Sequence, residues 1–148
     1  IKNNKPYIIE YNVRFGDPEC QTLLRDLKTD LLGIFLATIE DELSKIKISK
    51  YNMKVICVVL ASLGYPGNYQ KNKLLKNLDK VKKSNNIEVF HAGTKLVKNK
   101  FYSNGGRVLC ITARSTTLEN ARRMVYKTIK AINWKNGFYR KDIGIKNK

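Results

Sequence analysis

The alternation of apolar and polar positions divides the chain into a short first part and a longer, strand-rich second part. Lys54-Val55-Ile56-Cys57-Val58-Val59-Leu60-Ala61-Ser62 is a near-continuous apolar run with many β-branched residues. Such a run reads as a central strand buried on both faces. Gly64-Tyr65-Pro66-Gly67 ends it in a turn, and the polar, lysine-rich residues 68–86 read as a loop. Ile87 to Ala92 begins a second strand and Gly93 to Val97 a third. Lys98-Asn99 turns a hairpin into Lys100 to Ser103. After the turn Asn104-Gly105-Gly106, a further strand runs from Arg107 to Ala113. Thr116 and Glu119 stand at capping-box spacing, where each side chain satisfies a free amide of the first turn. Leu118, Ala121, Val125, Ile129 and Ile132 then recur at helical spacing, which predicts an amphipathic helix over 117–132 whose stripe is core. Strand, hairpin, strand and helix in this order predict an α+β fold, with a small, mainly antiparallel sheet and a covering helix.

The first part is patterned less completely. Pro6-Tyr7-Ile8-Ile9 starts a strand that runs on to Val13. Residues Cys20 to Leu27 suit a short helical turn, and Thr29 or Asp30 can cap a helix over Leu31 to Leu43. Its stripe is Leu31, Leu32, Phe35, Leu36, Ile39 and Leu43, with Asp41 and Glu42 on the solvated side. The polar, basic stretch from Ser44 to Met53 marks a boundary, giving segments 1–45 and 46–148. From about Met53 onward the chain carries enough strands and helix to close its own core. The strand at 6–13 has one following helix to cover it and is expected to be exposed or mispaired.

Side chains alternate across a strand. Glu10, Asn12 and Arg14 therefore share one face of 6–14, and Ile9, Tyr11 and Val13 share the other. A carboxylate and an amide oxygen two residues apart suit a hard divalent cation, whose shell is completed by water and phosphate oxygens. A guanidinium one step further can hold an anionic oxygen through parallel hydrogen bonds. The same alternation also marks the solvated side of an ordinary sheet. Gly16-Asp17-Pro18 then breaks the strand into a turn.

Composition narrows the classes. The chain has 148 residues, 43% of them hydrophobic, so it can bury a core. It has no long apolar run that predicts a membrane span. An opening without Met, five residues ahead of a buried-looking strand, reads as part of a longer protein. The formal charge of +17 raises the alternative of a stand-alone basic module that binds nucleic acid. Yet the lysines are scattered, with concentrations at 71–83 and 141–148, and aromatic side chains are not interleaved with them as stacking platforms. No specific nucleic-acid partner is therefore expected. Cys20, Cys57 and Cys110 form no Cys-x-x-Cys pair, which favours buried free thiols in a reducing cytoplasm over disulfides or zinc. His91, the only histidine, reads as a hydrogen-bonded structural residue as readily as an acid–base group. Gly93, Gly105 and Gly106 suit turns at least as well as a phosphate cradle.

The whole run Glu10-Tyr11-Asn12-Val13-Arg14-Phe15-Gly16-Asp17-Pro18-Glu19 resembles the signature near the end of the ATP-grasp domain in the phosphoribosylamine–glycine ligase (glycinamide ribonucleotide synthetase) family. Leu60 to Gly67, Val89 to Thr94, Asn104 to Leu109 and Phe138 to Gly144 resemble segments of that family's C-terminal domain, in the same order. Cys20 stands where the family often has Thr, and Leu63 where it often has Gly; neither is a proposed ligand.

The resemblance implies that residues 1–45 are the end of an ATP-grasp domain and 46–148 the ligase's C-terminal domain. It implies an enzyme of purine biosynthesis that joins glycine to 5-phosphoribosylamine with ATP through a glycyl phosphate, with Mg²⁺ or Mn²⁺. Glu10 and Asn12 match the metal ligands. Arg14 matches the position that holds acceptor or acyl-phosphate oxygens, so it is both catalytic and substrate-binding. Asp17 and Glu19 belong to the substrate-facing loop. Arg107 and Arg140 are weaker candidates for the ribosyl phosphate. The family's remaining metal and nucleotide contacts are not in this sequence, so the chain alone is expected to be inactive. Its partners are small molecules, with no membrane. The sequence does not fix the oligomeric state.

Overall fold

The computed structural model describes residues 1–81 and 84–145. The predicted loop at 68–86 and both lysine concentrations lie in part outside the described residues. Two apolar runs dominate the fold, β1 (Lys54–Ser62) and β5 (Arg107–Ser115). They pair antiparallel, with Ile56 opposite Ala113, Val58 opposite Ile111 and Leu60 opposite Leu109. β2 (Ile87–His91) joins the outer edge of β5, and the short β6 (Gly137–Phe138) joins β1, giving a four-stranded antiparallel sheet in the order β2-β5-β1-β6. β3 (Thr94–Val97) and β4 (Lys100–Ser103) form a separate hairpin. Its turn residues Lys98 and Asn99 both adopt left-handed backbone, as a tight two-residue hairpin turn requires. The predicted α+β architecture with mainly antiparallel pairing is therefore the observed one.

One sheet face is covered by α3 (Leu118–Ile132). Ala121, Val125, Ile129 and Ile132 meet Ile56, Val58, Leu60, Leu109 and Ile111 in one buried cluster. Leu75, from the predicted loop, is buried there too, and residues 72–75 bond along β4. Thr117 rather than Thr116 caps α3, its Oγ1 accepting from Asn120 N at 3.2 Å. β5 continues to Ser115, so the helix starts one residue later than the predicted capping box allows.

α1 (Glu19–Asp26) packs on the opposite face of β1 and β5. α2 (Leu31–Ile39) follows, with Asp30 accepting from Gly33 N at 2.7 Å as its cap. It ends four residues short of the predicted Leu43. Asp41 turns left-handed, and Glu42 N donates back to Ala37 O at 2.7 Å, a geometry that closes helices. The predicted stripe of α2 is largely solvent-facing: Ile39 is 81% exposed, and Ala37 is the buried residue of the helix. The expected strand at 6–13 does not form. Ile9 and Val13 are 96% and 98% exposed, because no neighbouring strand is present to pair with this segment.

Candidate functional site

The segments that carry the family resemblance meet at one end of the sheet. Antiparallel pairing places the end of β1 beside the start of β5 and the end of β2, with Ala61 opposite both Arg107 and Phe138 and His91 opposite Leu109. The turns that follow or precede these strands are tied together by hydrogen bonds. Ser62 N donates to Gly106 O at 2.8 Å and Ser62 Oγ to Gly105 O at 2.9 Å. Gly93 N donates to Arg107 O at 2.9 Å and Asn104 N to Gly93 O at 2.7 Å. A Cβ on Gly93 would lie 2.7 Å from Gly105 Cα, so these glycines are required by the close approach of two turns. Gly93's amide is used inside the protein, which favours the turn reading over a phosphate cradle at that position. A polar cleft of about 420 Å³, lined by Gly64, Asn68, Tyr69, Gln70, Lys73 and Asn136, opens beside the same end.

The run Glu10 to Glu19 reaches this end through its turn. Arg107 Nη2 pairs with Asp17 Oδ2 at 3.1 Å, and Arg107 Nη1 donates to Asp17 O at 2.8 Å. Gln21 Nε2 from α1 donates to Asp17 Oδ1 at 3.0 Å. The Asp17–Pro18 peptide bond is cis. Asn12 Nδ2 donates to Glu10 Oε1 at 2.9 Å, so a local side-chain bond brings these two together although the segment is not a strand. Arg14 is not brought to them; its Nη1 donates to Phe15 O at 3.0 Å. Glu19 turns back onto its own turn, its Oε2 accepting from Gly16 N at 2.8 Å. Among the described residues, no group of three or more His, Cys, Asp or Glu side chains could hold a metal ion. The bond between Asn12 Nδ2 and Glu10 Oε1 leaves the Asn12 amide oxygen and the second Glu10 oxygen, which are of the donor type a hard cation takes.

The remaining candidates fall outside this constellation. His91 Nδ1 lies 3.0 Å from Thr94 Oγ1, and its ring packs against Phe101 with centroids 4.3 Å apart. Burial holds its pKa below the ordinary value. Arg140 pairs with its neighbour Asp142. All three cysteines are free thiols; Cys110 is buried as expected, whereas Cys20 and Cys57 are half-buried. The Cys57 and Cys110 thiols share a hydrogen bond, and that contact and then burial push the Cys57 thiol up. The two sit diagonally on the face beneath α1, where Gln21 Nε2 is 3.9 Å from Cys110 Sγ. Sequence reasoning missed the Asp17–Arg107 contact; the opposite charges of these residues in two quoted motifs were the available signal, without any indication that they touch.

No helix among the described residues is long and apolar enough to cross a membrane. A family model described as "Phosphoribosylglycinamide synthetase, C domain" matches residues 55–146. The chain is 44% identical to a chloroplastic phosphoribosylamine–glycine ligase of Arabidopsis thaliana, over 97% of this chain and 27% of that protein. It is 40% identical to the phosphoribosylamine–glycine ligase of Brucella melitensis, over 97% of this chain and 34% of that protein. The crystal structure of phosphoribosylamine–glycine ligase from Thermotoga maritima is similar with a TM-score of 0.65 at 29% identity, covering 95% of this chain and 34% of that one. The chain thus spans between a quarter and about a third of the length of these relatives. All of them are ligases, which gives the nucleic-acid alternative no support. With 55–146 matched by its model, the chain belongs to the phosphoribosylglycinamide synthetase C-domain family.

Proposed function

We propose that this chain is the C-terminal part of a phosphoribosylamine–glycine ligase of the ATP-grasp class, working in the cytoplasm in purine biosynthesis. The observation that carries the reading is similarity over nearly the whole chain, at 44% identity, to a protein named for that activity. The division near residue 45, between the end of the ATP-grasp domain and the C-terminal domain, belongs to the same reading.

In the reaction, the carboxylate of glycine attacks the γ-phosphorus of ATP and ADP leaves. The amine of 5-phosphoribosylamine then attacks the carbonyl carbon of glycyl phosphate, releasing phosphate and forming glycinamide ribonucleotide. Two anions must meet, so the protein's work is positioning and charge neutralisation. Glu10 and Asn12 would hold Mg²⁺ or Mn²⁺, which when bound offsets charge on phosphate oxygens. Arg14 would bind the acyl-phosphate oxygens as they develop charge. Asp17 and Glu19 would line the turn that faces substrate. The chain supplies one part of the phosphate-binding surroundings and is inactive alone.

The test uses a full-length ligase carrying this segment. Glu10→Gln and Asn12→Ala should each lower glycine-dependent ADP formation by about 10²-fold, since an amide or a methyl is a poorer ligand than the native oxygen. Turnover like the parent's in both variants refutes the metal assignment. Ligation by the purified 148-residue chain refutes its reading as one part of the enzyme.

A further inference from the structure

Among the described residues the ion pairs Lys45–Glu42 and Arg140–Asp142 join near neighbours in sequence, whereas Arg107–Asp17 joins segments 90 residues apart. Its two side chains are 42% and 47% exposed, and an ion pair so open to water adds little to stability. Its geometry is more specific than its strength. One guanidinium nitrogen meets the carboxylate of Asp17 at 3.1 Å, and the other meets the backbone oxygen of the same residue at 2.8 Å. A planar fork can hold both at once, while an ammonium is a single point. Arg107 is itself fixed, because it opens β5 and its backbone oxygen accepts from Gly93. Asp17 is held from the other side by Gln21 of α1 at 3.0 Å.

We propose that Arg107 is a positioning residue: its guanidinium clamps the Gly16-Asp17-Pro18 turn, and through it the run Glu10 to Glu19, onto the motif-bearing end of the sheet. This rests on the ligase reading above for its consequence in catalysis, and on the contacts alone for the clamp. Without the clamp the turn loses the tie between the run that carries Glu10 and Asn12 and the Gly93 and Gly105 turns. The role differs from that of a ligand for the ribosyl phosphate, which would engage Arg107 with substrate rather than with Asp17.

Two measurements decide it. In the present chain, Arg107→Ala should speed exchange of the two amides bonded within the turn, Gly16 and Cys20, by about tenfold, with Arg107→Lys between the two, while Val108 to Thr112 keep their protection. Unchanged exchange at Gly16 and Cys20 overturns the clamp. In a full-length ligase carrying this segment, Arg107→Ala should lower kcat by about tenfold and raise the Mg²⁺ concentration needed for half-maximal rate, with KM for phosphoribosylamine within about twofold of the parent's. Added to Asp17→Ala, it should cost less than it does alone, because the two share one contact. A raised KM for phosphoribosylamine with kcat kept overturns positioning and makes Arg107 a substrate ligand. If the unmutated enzyme shows no ligase activity, the functional reading fails and the exchange result alone decides the clamp.

Discussion

Residues 54–132 and residues 1–45 carry similar apolar patterns with opposite outcomes. In the first region Ile111, Val125 and Ile132 are wholly buried, because β1 and β5 pair directly and α3 lies across them. In the second, the apolar residues of 7–13 and of α2 remain largely in water, and α1 alone packs closely on the sheet. A cavity of about 430 Å³ lies between α1, α2 and β1, lined by Phe15, Leu24, Leu31, Ile34, Met53 and Val55. Hydrophobic pattern states which face wants cover; it does not supply the partner that covers it. The chain spans 27–34% of these relatives' lengths.

The sharpest break of the comparison is by amide exchange. Val55 to Leu60 and Val108 to Thr112 open only with the core, whereas Ile8 to Val13 lack sheet partners. A core held by about 5 kcal/mol protects its amides by more than about 10³-fold over such a segment. Equal protection would mean that 6–13 pairs within this chain, and the contrast would fall.

Truncation reads the same difference as stability. Ile111→Ala removes a fully buried side chain and should cost about 3–4 kcal/mol. Ile9→Ala alters a side chain 96% exposed and should change stability by less than about 0.5 kcal/mol. Urea unfolding of the two variants measures both. A large loss from Ile9→Ala would show that the first segment belongs to the cooperative core.

The two helix caps sharpen the point, because each makes the same bond from its side chain to the third following amide. Thr117→Ala should lower global stability by about 1 kcal/mol, since α3 unfolds with the core. Asp30→Ala should leave the global midpoint nearly unchanged and raise exchange within α2 instead. Comparable midpoint losses in both would put α2 inside the cooperative unit.

Legibility follows the same line. β1, β2, the hairpin, β5 and α3 were readable because each finds its partner within the chain. The exposure of 6–13 was legible, because the pattern offered it one helix for cover; the strand itself does not form, since pairing needs backbone partners that periodicity does not encode. The proximity of Glu10 and Asn12 agrees with their spacing, although a side-chain bond and not a strand holds it. The separation of Arg14 from that pair did not, because it depends on a local bond to Phe15 O. Asp17–Arg107 depends on the tertiary meeting of two turns, which no local pattern announces.

The smallest expected effect concerns His91, the chain's only histidine, an exposed residue at the end of β2 whose ring packs on Phe101. Burial lowers its pKa, so the folded protein binds the proton less readily than the unfolded chain. The contribution is therefore fully present above the unfolded value, near pH 6.5, and is lost as pH falls through that value toward the lower folded one. Lys76 and Asp79 from the preceding segment and Lys100 from β4 line the same cavity as His91. The urea midpoint of the native chain should fall further between pH 7.5 and 5.5 than that of His91→Gln, because the variant has no imidazole to protonate. Parallel falls would show that the imidazole ring is equally hydrated in both states, and that the covered region's edge at β2 is open to water like the first segment.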